Sequence, residues 1–273
     1  MNVALITRDD LDEADATRTH VVRVLTGLGA TVVNEDTQDP IDAVVVLGGD
    51  GTLLRSVQRV LREDTPVVGV NMGSLGFLTE VTSDEVEDAL KALVAGTYSF
   101  SWRSLLGASL VRDGRVMSLH EGLNDVTIAK AATVSRIVEF TVSVGGRFVS
   151  EFRADGLIVA SPTGSTAYNL AAGGPILHPA LDAVVLTPIC PHMLSNRPLV
   201  IPADAPVSIR VRSSASPVHV TVDGQWSREV TPEDELVVGR GSRRLKLVTS
   251  SARDYFEVLR TKLKWGDFPK LRQ

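Results

Sequence analysis

Cysteine is nearly absent. Cys190 stands alone in 273 residues, so no intrachain disulfide can form and a reducing compartment is expected. The five histidines, His20, His120, His178, His192 and His219, lack metal-ligand spacing, which argues against a structural metal. Long apolar runs are missing too: Ala43 to Leu47 and Leu157 to Ala160 fall far short of the ~20 residues that span a bilayer. Met1 to Thr7 reads as a strand and runs into the acidic stretch Asp9 to Asp15, without the basic and apolar regions of a secretion signal. A cytoplasmic protein is the expectation. Positive charge is also in short supply. The formal net charge is -5 and the pI about 5.6, which disfavours nucleic acid or an anionic membrane as partner. The small cluster Arg240, Arg243, Arg244 and Lys246 reads as a solvated turn.

What is present is apolar residue in quantity, 44% of the chain, enough for one large core or two smaller ones; the length favours two. The periodicity changes near residue 97. Before it, strand patterns (Val3 to Ile6, Val44 to Leu47, Val67 to Val70) alternate with helical ones (Val21, Val22, Leu25, Leu28; Leu53, Leu54, Val57), which predicts a parallel sheet. Thr82-x-x-Glu85 reads as a capping box for a helix closed by Gly96. Beyond it, short alternating runs are punctuated by Asp113-Gly114, Gly145-Gly146 and Asp223-Gly224, each a two-residue hairpin signal. The reading is therefore α/β plus all-β: a Rossmann-like domain over 1–97, a β-rich domain over 98–249, and a tail over 250–273 whose helix, Asp254 to Lys264, returns to the first domain.

Two segments carry chemistry. Gly48-Gly49-Asp50-Gly51-Thr52 joins a buried strand to a helix, where glycines let backbone N–H groups approach phosphate and the helix start favours negative charge. It fails the common nucleotide fingerprints, because Leu54 stands where a dinucleotide motif wants glycine and no G-x-x-x-x-G-K-[ST] occurs. Asp50 is either an exposed base or, with Thr52, a helix cap. The second segment, Ser161-Pro162-Thr163-Gly164-Ser165-Thr166, offers hydroxyls and helix-start N–H groups to ribose and phosphate oxygens, and Tyr168, one turn on, could stack on a base.

Together with Asn124-Asp125 and Asp223-Gly224-Gln225, these segments closely resemble the NAD kinase family over nearly the whole chain. Asn71-Met72-Gly73-Ser74-Leu75-Gly76-Phe77-Leu78, Gly173-Gly174-Pro175-Ile176 and the stretch from Pro191-His192 to Arg197-Pro198-Leu199 are similar to that family's connecting sequence. The Gly-Gly-Asp-Gly element alone is shared with diacylglycerol and sphingosine kinases. The resemblance implies phosphoryl transfer from ATP, or from inorganic polyphosphate, to the 2′-hydroxyl of the adenosine ribose of NAD. By position it implies Asp50 as proton acceptor, Gly51 beside it in the dinucleotide site and Arg55 within reach of phosphate, all three on NAD, while the loop's glycines place Gly48, Gly49, Gly51 and Thr52 on phosphate. On NAD it implies Asn124, Asp125, Arg136, Arg153 and Asp155, then Thr163, Ser165, Thr166, Ala167, Tyr168, Asn169, Leu170 and Ala171, and Gln225. Asp125 is a methylene shorter than the frequent glutamate. The resemblance further implies a homo-oligomer, dimer or tetramer, and Mg2+ carried with the donor is expected from the chemistry. Two rival readings stay open: a lipid kinase, which the acidic chain without a basic membrane face disfavours, and a dinucleotide-binding sensor that does no chemistry.

Overall fold

The structure is a computed structural model that describes all residues except 9–11, 35, 38, 61–63, 132–136, 194, 215–216, 251 and 266–273, together with the backbone alone of 12–15 and 58–60. Two units are distinct, Met1–Ser101 with the stretch from Leu245 onward, and Trp102–Arg244.

In the first unit the elements run β1 (Asn2–Thr7), α1 (Asp12–Gly27), β2 (Thr31–Val33), β3 (Ala43–Gly48), α2 (Asp50–Val60), β4 (Pro66–Asn71) and α3 (Val86–Ala95). All six residues of β3 and all six of β4 are buried. Continuous apolar runs of this kind belong to parallel strands covered on both faces. The sheet order is β2-β1-β3-β4, with parallel pairing throughout. The chain steps from β1 to β2 on one side and then crosses to β3 on the other. That reversal opens a crevice beyond the C-terminal ends of β1 and β3. Val21 and Leu25 from α1, and Val86, Leu90 and Leu93 from α3, complete the core. The capping box is half built. Glu85 reaches back to accept from the Thr82 N–H at 2.9 Å, but the first turn is not α-helical and α3 starts at Val86. Gly96 ends it in the left-handed conformation, φ 70°.

The second unit is almost entirely strand: β5 (Phe100–Arg112), β6 (Arg115–Gly122), β7 (Asp125–Lys130), β8 (Val138–Val144), β9 (Arg147–Ala154) and β10 (Gly156–Ala160) come first. A 3-10 turn (Gly164–Thr166) and the one-turn helix α4 (Tyr168–Ala171) interrupt them. Then follow β11 (Ala183–Ile189), β12 (Leu199–Pro202), β13 (Val207–Ser213), β14 (Val218–Val222), β15 (Trp226–Val230) and β16 (Asp234–Val248), whose first residues pair with β13. One sheet has the order β12-β11-β10-β7-β14-β15, all antiparallel. Its inner face and that of β5, β8 and β13 enclose a core around Phe140, Val159, Ile128 and Val220.

Two of the hairpin signals close as expected, Asp113-Gly114 between β5 and β6 and Gly145-Gly146 between β8 and β9, with positive φ at both central residues. The third differs. Val222 pairs with Trp226, so that loop has three residues, Asp223-Gly224-Gln225, and the Gln225 N–H closes it onto the Val222 carbonyl.

The end of the chain belongs to the first unit: Lys246–Val248 pair in parallel with Pro66–Val68, and α5 (Tyr255–Leu263) follows. Its N-cap is Asp254, whose carboxylate accepts from the Glu257 N–H at 2.9 Å.

Candidate functional site

In the first unit the glycine-rich loop forms the turn from β3 into α2. Gly48 is the last strand residue, and a Cβ there would come within 2.5 Å of the Thr52 hydroxyl oxygen. Thr52 thus fills the space that only glycine leaves. The Thr52 and Leu53 N–H groups turn back onto the Gly49 carbonyl and start the helix.

Asp50 does not cap that helix. Its carboxylate points to a segment 27 to 29 residues further on: Oδ2 accepts from the Phe77 N–H at 2.8 Å, and Oδ1 from the N–H groups of Leu78 at 3.0 Å and Thr79 at 3.1 Å. The Thr79 hydroxyl adds a fourth bond to Oδ1, at 3.1 Å. Glycine makes this approach possible at two points. A Cβ on Gly69 would meet the Leu78 carbonyl at 2.5 Å, and one on Gly76 would meet Asp50 Oδ1 at 2.1 Å. Asp50 is half-buried, and these neutral donors hold its carboxylate in a fixed direction.

Beside this loop lies a cavity of about 880 Å3, at the crevice where the strand order reverses. Thr7 and Arg8 at the end of β1, Val33 and Asn34 at the end of β2, and Gly49, Gly51, Thr52, Arg55 and Ser56 line it, with Arg18 from α1. Three arginines and a helix N-terminus bring positive charge and backbone dipole to this cavity. Of the loop residues named from the sequence, Gly49, Gly51, Thr52 and Arg55 face this cavity, and Gly48 lies buried behind Thr52. Arg8, Arg18, Thr7 and Asn34 went unnoticed in the sequence. Their only signal was position just after, or one helix from, a strand end.

In the second unit three chain segments knot together at the ends of β7, β10 and β14. The Asp223 carboxylate accepts from the N–H groups of Leu123 and Asn124, each at 2.7 Å, and of Asp125 at 3.1 Å. The Ser161 hydroxyl donates to the Leu123 carbonyl at 2.6 Å, its N–H donates to the Asn124 carbonyl, and the Gly164 N–H donates to the Ser161 hydroxyl. Gly164 sits so close that a Cβ would lie 2.0 Å from the Asn124 carbonyl oxygen. The turn holding Asn124 and Asp125 is therefore fixed on both sides. Asp223 is more than a hairpin residue: it is the anchor of that turn.

The knot buries Asp125 and half-buries Asp223. Burial, and then the charge of Asp223, push the Asp125 carboxyl up to about 6, against one bond from the Thr127 hydroxyl. Burial also pushes Asp223 upward, against its three backbone N–H bonds. Asn124 is half-buried beside them.

The second loop divides its residues between fold and surface. Ser165 is fully buried, donating to the Pro162 carbonyl and accepting from the Leu177 N–H. Asn169 is fully buried as well, donating to the carbonyls of Ser165 and Pro175 and accepting from the Thr187 hydroxyl. Both side chains are spent inside the fold, and so are the Ser165 N–H and the carbonyls of Ser165 and Asn169, which bond within the loop. Thr163 is buried and accepts at its carbonyl from the Thr166 hydroxyl. Ala167 and Leu170 are half-buried, while Ala171 and Tyr168, 47% exposed, stand at the surface.

The remaining positions lie elsewhere in this unit. Asp155 is paired with Lys130 at 2.7 Å, and Arg153, 64% exposed, with Glu139 on the neighbouring strand at 2.7 Å. Gln225 is exposed at the hairpin tip. Arg136 lies outside the described residues.

Comparison with known proteins gives a consistent result for both units. The family model for the ATP-NAD kinase N-terminal domain matches residues 31–98, and that for the ATP-NAD kinase C-terminal domain matches residues 123–250. The chain is 48% identical over 237 residues to the NAD kinase of Geotalea daltonii, covering 87% of this chain and 83% of that protein. It is 47% identical over 248 residues to that of Geobacter metallireducens, covering 91% and 87%. Among solved structures, yeast NADH kinase complexed with NADH superposes with a TM-score of 0.86 at 25% identity, over 100% of this chain and 90% of that one. An NAD kinase from Archaeoglobus fulgidus in complex with ATP has the same fold, with a TM-score of 0.77 at 24% identity over 96% and 99%.

Proposed function

The chain belongs to the NAD kinase family, and from that premise we propose that it phosphorylates the 2′-hydroxyl of the adenosine ribose of NAD with ATP to give NADP. The matched domains and relatives favour neither the lipid-kinase nor the sensor reading. The observation that carries the chemistry is Asp50, a carboxylate held rigidly next to a basic cavity at the crevice of a parallel sheet.

In this reading the 880 Å3 cavity takes the donor polyphosphate, ATP or an inorganic chain. Arg8, Arg18 and Arg55 neutralise its charge, and the N–H groups of Gly49 and Gly51 approach its oxygens where no Cβ intervenes. In the second unit Asn124 and Asp125 bind the ribose or base of NAD, with Thr163, Thr166, Ala167 and Tyr168 around it; Tyr168 offers an exposed ring for stacking. In the transfer the O2′–P bond forms as the terminal P–O bond of the donor breaks, and the 2′-hydroxyl proton passes to Asp50. A loose transition state asks for alignment and charge neutralisation first, so Asp50 orients the hydroxyl early and takes the proton late.

Mg2+ belongs with the donor. In this reading it is bound chiefly by phosphate oxygens, as Mg2+ commonly is. Bound there, it would add positive charge to the donor phosphates. The same reading includes a homo-oligomer, dimer or tetramer, supported by the edge strand β12 with Leu199 and Val200 40% and 45% exposed, and a cytoplasmic location, supported by the solitary, unpaired Cys190.

The test is Asp50→Asn. It should bind NAD calorimetrically as the parent does and lose turnover by about 100-fold or more; a variant with parental kcat would remove Asp50 from the chemistry.

A further inference from the structure

The four bonds to Asp50 are unevenly shared. Oδ1 accepts three, from the N–H groups of Leu78 and Thr79 and from the Thr79 hydroxyl; Oδ2 accepts one, from Phe77. A carboxylate has about four acceptor positions, roughly two per oxygen. Oδ1 is therefore filled, and Oδ2 keeps an acceptor position for a substrate hydroxyl.

Among these donors, Thr79 supplies the bond that depends on a side chain. Thr79 is fully buried and its hydroxyl is itself oriented: it accepts from the Asn71 side-chain amide at 3.2 Å, which leaves its proton to point at Asp50. Asn71, also buried, is set in turn by donating to the Ser74 carbonyl at 2.6 Å and accepting from the Gly73 N–H at 2.8 Å. Its backbone is fixed by an N–H bond to the Val81 carbonyl. The chain of bonds Asn71 to Thr79 to Asp50 thus runs from the end of β4 to the start of α2.

We infer that Thr79 and Asn71 are positioning residues for the transfer: they hold Asp50 by Oδ1 so that Oδ2 alone receives the 2′-hydroxyl. The inference rests on the function proposed above. It adds two residues that touch neither substrate, and it distinguishes the roles of the two carboxylate oxygens. A carboxylate freed from the Thr79 hydroxyl can rotate about its Cβ–Cγ bond, and small misplacements of a catalytic group are costly in rate rather than in binding.

The experiment compares Thr79→Val, which keeps shape and loses the hydroxyl, with Thr79→Ser, which keeps the hydroxyl, and with Asp50→Asn. Thr79→Val should lower kcat by about 10- to 100-fold. The KM values for NAD and ATP should stay within about twofold, and so should the calorimetric Kd for NAD, since the substrate groups are untouched. Thr79→Ser should recover kcat to within about threefold of the parent. A purely structural role would lower the melting temperature of Thr79→Val without separating it from Thr79→Ser in kcat per folded molecule. Should Thr79→Val not fold, Thr79→Cys, of similar size with a weak donor, takes its place and should show the same loss. Parental kcat in the Val or Cys variant, with Asp50→Asn inactive, would overturn the positioning inference alone. Parental kcat in Asp50→Asn would overturn the reading beneath it.

Discussion

Replacing Asp125 by asparagine should stabilise the protein and weaken its hold on NAD. Asp125 is 8% exposed, and its carboxyl is pushed from the ordinary value of 3.8 up to about 6, first by burial and then by the charge of Asp223. The folded state therefore keeps a proton that the unfolded chain has already released. As pH rises through the window from about 4 to about 6, the unfolded state binds fewer protons than the folded one, and stability falls. Above that window the full cost is in force: two pKa units at about 1.4 kcal/mol each give about 3 kcal/mol. Asparagine has nearly the same shape, carries no charge, and can still accept from the Thr127 hydroxyl. Asp125→Asn should thus melt about 6 to 12 °C above the parent at pH 7.5, at roughly 2 to 4 °C per kcal/mol for a chain of this size. The two should converge near pH 4. NAD affinity of the parent should drop below pH 6 as the carboxylate is protonated, whereas that of the variant should be lower and flat. Scanning calorimetry across pH 4 to 8, with NAD titrations at each pH, measures both. A difference in melting temperature that does not depend on pH would refute the reasoning.

Gly164→Ala places a Cβ 2.0 Å from the Asn124 carbonyl oxygen, a contact of backbone with no flexible end to yield. Denaturant unfolding should show a loss of about 3 kcal/mol, and NAD affinity should fall with it. Thr187→Val deletes the donor to the buried Asn169 amide oxygen; the orphaned acceptor should cost about 1 to 3 kcal/mol in the same assay, with kcat near that of the parent. Arg55→Ala removes a cation from the cavity lining. Steady-state kinetics should show KM for ATP raised about tenfold, as for loss of one charge-assisted contact, and KM for NAD unaltered.

How much of this was legible depended on range. The run Ala43 to Leu47 announced a fully covered strand because burial on both faces leaves no alternation. Asp113-Gly114 and Gly145-Gly146 announced hairpins because the turn geometry needs positive φ at adjacent residues. The family resemblance carried the activity and named Asp50. What the sequence could not display were contacts made across the fold. Asp50 meets Phe77 to Thr79 only because Gly69 and Gly76 leave room for the approach. Asp223 meets Leu123 to Asp125 across about a hundred residues, 98 to 100 along the chain. Ser165 and Asn169 look like ligand groups in a polar loop, yet burial commits both side chains to the loop's own carbonyls and, for Asn169, to the Thr187 hydroxyl of β11. Hydroxyl and amide composition does not distinguish a group facing a ligand from one that holds the loop in shape.

The measurement closest to the central claim is 31P NMR of the purified protein incubated with NAD, ATP and Mg2+. A phosphomonoester signal matching authentic 2′-phosphorylated NAD, growing in step with ADP and missing with Asp50→Asn, is what the account predicts. ATP consumed to ADP and inorganic phosphate with NAD unchanged, or a phosphoryl group on any other hydroxyl, would contradict it.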